Sequence, residues 1–323
     1  MTEGVDTLTG VDVEAGSPPQ TSSRSLFAAA FRSSPGRHAF WLLAVVAVLN
    51  VVVRPMPWRF DWTWALVQFG YVTIVTTPIV AGIAAFEASD RSASADLIDA
   101  AGGTRRSLWL DTLTIWLWSL IGVSAGLVVT CVVAAGATGA LPSPRALLTL
   151  VPVLVMYAAA AAVGAAFGWW IRHWSATLVA AVTVFFASIL AFTSGNEILV
   201  RTGGATDDLT GLRLDLGWWT RQVLWLAAAT ILFVEFAAAR PRMWIPRALI
   251  RPAVISVAVV ATAAVATTGA NMMFEPTSVD LSCVGTPQIC VTDPYLDRAE
   301  ELRPQINDAL AIWESAGGPP PQK

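Results

Sequence analysis

Seven apolar runs, at 39–53, 62–86, 108–135, 147–171, 176–192, 218–239 and 253–270, dictate what this chain can become. A hydrocarbon layer about 30 Å thick is crossed by about 20 predominantly apolar residues in a helix, which satisfies its own backbone where no water can. The expected fold is therefore an all-α integral membrane protein of about seven transmembrane helices. Composition agrees: 55% of the residues are hydrophobic and 13% are charged, where a soluble domain carries about 25% charged residues. The first run is short and contains Asn50, so it either recruits residues from 31–38 or ends in the interface.

Residues 1–22 are mostly Thr, Gly, Ser, Pro and acid, too poor in apolar side chains to offset the entropy of ordering them. They read as a disordered cytoplasmic tail. The stretch SRSLFAAAFR at 23–32 gathers Leu26, Phe27, Ala30 and Phe31 on one helical face between Arg24 and Arg32, as an interfacial helix does. No small-residue cleavage site follows the first apolar run, so residues 1–38 are expected to stay on the mature protein. Short loops rich in arginine remain in the cytoplasm. With the N-terminus inside, that side holds Arg24, Arg32, Arg37, Arg91, Arg105, Arg106, Arg172, Arg240, Arg242, Arg247 and Arg251. The outer loops hold Arg54, Arg59, Arg145, Arg201, Arg213 and Arg221, diluted by acids. The reading is N-in and C-out, with residues 271–323 as a short extracellular tail.

That orientation places Cys283 and Cys290, in CVGTPQIC, where an oxidising compartment permits a disulfide. Two free thiols or half of a metal site are the alternatives, and they require a reducing compartment or two further ligands. Further along the tail, Tyr295, Ala299, Leu302, Ile306, Leu310 and Trp313 recur at helical spacing, and Pro304 is expected to kink that helix. The apolar stripe needs cover from the mouth of the bundle, a second copy or the outer leaflet.

Soluble-enzyme chemistry has little to work with here. The single lysine is Lys323 and no GKS or GKT occurs, which excludes a P-loop ATPase in this chain. Two histidines, His38 and His173, leave no zinc site of the HExxH type, and a net charge of −3 gives no basic face for nucleic acid. Gly122, Ser124 and Gly126 spell GxSxG, but in mid-span and without His or acid partners. Gly122/Gly126 and Gly164/Gly168 are better read as GxxxG packing motifs. No catalytic residue, metal site or cofactor is assigned to the chain. Acids within spans cost roughly 2.5–3.5 kcal/mol at the helix centre, which singles out Glu87, Asp111 and Glu235. All three lie near one membrane face, as a proton relay or as interfacial ion pairs with Arg172 or Arg240. Gln68, Thr73, Thr76 and Thr77 either line a path or spend their polar groups within their own helix.

The connection after the second span, EASDRSASADLIDAAGGTRRS, is the most distinctive cytoplasmic feature. Residues 93–101 can form a short helix with Leu97 and Ile98 on its apolar face, stopped by Gly102 and Gly103; an interfacial turn is the alternative. At this point the chain resembles the permease subunit of ABC-2 type ABC transporters over roughly residues 23–240, and ADLIDAAGGTRRSLWL is similar to a phrase recurrent in that family. The added seventh span and the Cys-pair tail resemble a permease-like subgroup from high-GC bacteria. The resemblance implies a multi-pass protein of the bacterial cell membrane, an exporter half driven by a separate ATPase that carries ATP and magnesium. It implies that Glu87, Asp90, Arg91, Asp96, Asp99, Thr104, Arg105 and Arg106 lie at or beside the ATPase contact. A second permease, the same chain or a relative, is a further implied partner, besides the lipid bilayer. The rival expectation is a membrane-anchored sensory, binding or assembly protein that acts through its extracellular tail.

Overall fold

The computed structural model describes residues 23–53, 57–92, 103–193, 197–200, 202–203, 212–238, 273–276, 281–284, 289–292 and 296–317. The fold is an all-α bundle accompanied by two small two-stranded antiparallel sheets. The expected helix at 93–101 with Asp96 and Asp99, the apolar run at 253–270, Arg240 to Arg251, and Tyr295 lie outside the described residues.

Helix α1 (Ser23–Ser33) meets α2 (Gly36–Val52) at a bend of 61°. Pro35 causes the break, since it offers no N–H and disfavours helical geometry at Ser34 before it. Ser34 turns its hydroxyl back to accept from the Gly36 N–H at 3.1 Å. Helix α1 is then held by aromatic contact: Phe31 stacks on Trp118 at 4.5 Å, and the Trp118 indole donates to the Phe31 carbonyl at 2.9 Å.

The second apolar run is one span in two pieces, α3 (Trp62–Gly70) and α4 (Thr73–Ser92). Asp61 caps its start, accepting from the Trp64 N–H at 2.6 Å. The break at Tyr71 and Val72 admits residues 202–203 from a distant loop. Thr202 and Thr73 share a hydrogen bond of 2.8 Å, and Thr202 donates to the Gly70 carbonyl at 3.2 Å. Side chains on Gly70 or Gly203 would strike the opposing backbone, so both positions need glycine.

Helix α5 (Thr104–Thr138) is 35 residues long, about 52 Å at 1.5 Å per residue, and overshoots the hydrocarbon layer. A short turn at Pro144–Leu147 leads into α6 (Leu150–Ile171), followed by α7 (Ser175–Thr193) and α8 (Leu216–Ala238). Four of these spans are long and apolar enough to cross a membrane, five if the bent pair α1–α2 counts as one, and α7 is a shorter apolar helix. Leu113, Ile121, Val128 and Val132 on α5, with Leu178, Phe186 and Leu190 on α7, face outward, as lipid-facing side chains do.

Small residues let the helices close on one another. Gly164 and Gly168 of α6 rest on the backbone of Ala81 and Ala85 in α4, and Gly122 and Gly126 of α5 rest on Phe40, Leu43 and Ala47 of α2. Ser124 of the GxSxG pattern donates to its own helix at Ile121 (2.7 Å), with the bond of a packing helix and no nucleophile geometry.

At the end of the bundle where α8 begins, β1 (Leu212–Leu214) pairs antiparallel with β2 (Phe274–Pro276), and Arg213 meets Glu275 across the ladder at 2.7 Å. Leu214, Trp218, Trp219 and Met273 form a buried cluster beneath it. Strands β3 (Leu281–Val284) and β4 (Ile289–Thr292) form a hairpin in which Cys283 and Cys290 are directly opposed and joined as a disulfide. Helix α9 (Leu296–Ser315) packs on this hairpin and continues through Pro304 as a single helix, where the sequence suggests an interruption. Cys290→Ser should cost the hairpin about 2 kcal/mol, the loop-closure value for so short a ring. Limited proteolysis of the tail with and without reductant checks this, and identical cleavage rates would contradict it.

Candidate functional site

The end of the bundle opposite β1 carries the buried acidic side chains. There α4 ends and α5 begins, so Ser92 and Gly103 are the two roots of the 93–102 connection. Glu87, Asp111 and Glu235 are all buried, at 3%, 1% and 3% exposure. Carboxylates so placed are costly unless paired and hydrogen-bonded, and each finds an arginine from the rim.

At the first root, Arg91 reaches back one turn to Glu87 at 2.6 Å and also pairs with Asp111 of α5. The second oxygen of Glu87 accepts from the Ser34 hydroxyl at 2.8 Å. One network thus joins the α1–α2 bend, the end of α4 and the start of α5. At the second root, Arg105 pairs with Glu235 of α8 at 2.6 Å, and the Trp109 indole N–H lies 3.4 Å from the same oxygen. Arg91 is 27% exposed and Arg105 is 63% exposed, which fits long side chains reaching from an aqueous rim to buried acids.

This arrangement sorts the residues expected at a partner contact. Glu87, Arg91 and Thr104 are drawn into the bundle, and Arg105 is committed to Glu235; the pull is the desolvation cost of an unpaired buried acid. Asp90 and Arg106 remain exposed at the two roots. The sequence suggests Arg172 or Arg240 as partners of the three acids. Among the described residues the arginines that pair with them are Arg91 and Arg105, the latter because the first turn of α5 passes beside the last turns of α8; Arg240 lies outside the described residues. Sequence reasoning missed Ser34 altogether, and the only available signal was a serine before Pro-Gly at a helix bend.

The intramembrane polar residues sit at the other end of α4. Thr73, Thr76 and Thr77 are at most 1% exposed. Thr73 donates to Gly70, Thr76 to Val72 and Thr77 to Thr73, each at 2.7–2.8 Å, and Thr76 also bonds the Tyr157 hydroxyl at 2.6 Å. Their hydroxyls are engaged in bonds within the α3–α4 span and, for Thr76, between helices. Gln68 borders a void of about 10 Å³ together with Asn50, Trp58 and Thr130, room for about one water molecule. Among the described residues no group of three His, Cys, Asp or Glu side chains is placed to hold a metal ion.

No protein family, no characterised protein and no solved structure matches this chain.

Proposed function

We propose that the chain is the membrane-spanning permease subunit of an ABC-type exporter, driven by a separate ATP-binding subunit through the 88–107 segment. The observation that carries this reading is the anchoring of both roots of the 93–102 connection. Arg91 ties one root to α5 and, through Glu87 and Ser34, to the α1–α2 bend, while Arg105 ties the other to α8. A force applied to the connection is therefore delivered to α4, α5, α8 and the α1–α2 bend at once, which a mechanically driven permease requires. Of the residues expected at the contact, Asp90 and Arg106 are the described charges that stay exposed for a partner to grip.

In this reading the chain crosses a bacterial cell membrane seven times, N-terminus in and tail out, alone or beside a second permease. Two placements support the odd count: Glu235, one turn before the end of α8, lies at the Arg105 end, whereas Met273 lies with β1 at the other. The apolar run 253–270 supplies the missing crossing.

The test is Arg106→Glu, because Arg105→Glu would also break an internal pair. The variant should insert and fold normally but lose most of its co-purification with a P-loop ATPase from native membranes. Undiminished recovery of the ATPase would refute the coupling role. The disulfide-bonded hairpin with its attached helix favours one rival, a membrane-anchored sensory, binding or assembly protein. That rival predicts no stoichiometric ATPase even with the unmodified chain.

A further inference from the structure

The geometry points to α9 as a membrane-surface helix, whose apolar stripe lies on the lipid leaflet at the β1–β2 end of the bundle. Pro276 closes β2, which is paired to the strand that leads directly into α8, so this point of the chain is fixed at the mouth of the bundle. Four residues separate Pro276 from Leu281. The five steps from Pro276 to Leu281, at no more than about 3.6 Å each, let the hairpin root stand at most about 18 Å from that point. Helix α9 packs on both strands of the hairpin and is 20 residues long, about 30 Å, so one face of it can lie along the headgroup layer.

One face of the helix is apolar and only partly covered. Ala299 is buried at 5% exposure, but beyond it Leu302 is 37% exposed, Ala309 is exposed, and Ile306 and Leu310 are only half-buried. These positions recur every three or four residues and form one stripe. Glu301 and Asp308 are placed by the same period on the opposite side, and both are exposed. The helix carries five acids against two arginines, so attraction to anionic headgroups cannot hold it there. Burial of the stripe in the interfacial zone can, and that contact is insensitive to salt. The inference is independent of any ATPase and stands or falls separately from the transport reading.

The test uses the full chain with Cys131→Ser, reconstituted in phosphatidylcholine nanodiscs, with a fluorophore on Ala309→Cys or, as the opposite face, on Asp308→Cys. Both positions are exposed, so labelling disturbs no core. Spin-labelled phosphatidylcholine should quench the label at 309 more than that at 308 by about twofold or more, with aqueous iodide showing the reverse order, as expected for a helix lying in the interface. Raising the salt should leave the lipid quenching unchanged. Equal access of iodide to both positions would overturn the proposal in favour of a helix standing in water. Protection of position 309 from both quenchers would overturn it in favour of a second copy or a protein partner.

Discussion

Gly164→Val should abolish recovery of a folded, detergent-stable protein, and Gly168→Val should do nearly the same. Each glycine lets α6 touch the backbone of α4, and an added Cβ would fall on the carbonyl of Ala81 or of Ala85. Overpacking a core costs typically 1–3 kcal/mol where side chains can shift. Here the obstacle is backbone, so the expected cost exceeds about 3 kcal/mol, at or beyond the top of that range. The α4–α6 contact is also the most extensive in the bundle. Gly136→Val is the control, because a Cβ there meets nothing within 4 Å. Size-exclusion profiles and melting curves in detergent decide the matter. A Gly164→Val protein that melts with the parent would mean that the two helices do not meet at these residues.

The second large effect is expected from Arg91→Ala. The substitution leaves Glu87 and Asp111 buried without their shared cation. Breaking a buried pair by removing one partner costs about 3–5 kcal/mol, and the partial exposure of Arg91 places the effect near the lower figure. Removing the charge from all three residues together, with Arg91→Met, Glu87→Gln and Asp111→Asn, should recover much of the loss, since an uncharged set needs no counter-ion. Thermal melts of the single and triple variants make the comparison. Equal melting temperatures for parent and Arg91→Ala would exclude a structural role for the network.

The helices were legible because apolar runs of this length admit few other structures, and the glycine pairs were legible because their four-residue spacing marks one helix face. The break at Tyr71 and Val72 left no comparable mark. Gly70 is ambiguous in sequence until Thr202 and Gly203, more than a hundred residues later, are seen to press against it. The acid cluster was half legible. Glu87, Asp111 and Glu235 stand out by cost alone, but choosing among arginines on several helices requires knowing which helix ends are neighbours. Ser34 carries no charge and no periodicity, so its bond to Glu87 could emerge only from the fold. In the tail the structure departs from the sequence at Pro304, where the proline rule weighs the lost N–H but not the support α9 gains by packing on its hairpin.

The pairing of β1 with β2 bears on how the protein is made. Strand β1 is synthesised before α8, yet its partner leaves the ribosome only after the whole stretch to Met273 has been completed, seconds later at ordinary elongation rates. Until then Arg213 lacks Glu275, and Trp218 and Trp219 lack the Met273 side chain that helps to cover them. A nascent chain in that interval shows an open strand edge beside two tryptophans, the kind of surface that chaperones and membrane proteases engage. Chains truncated before Phe274 would show it permanently. The three residues of β2 thus make it visible on the surface of the protein that synthesis has passed residue 276, and an assembly line that inspects that surface can separate such chains from shorter fragments.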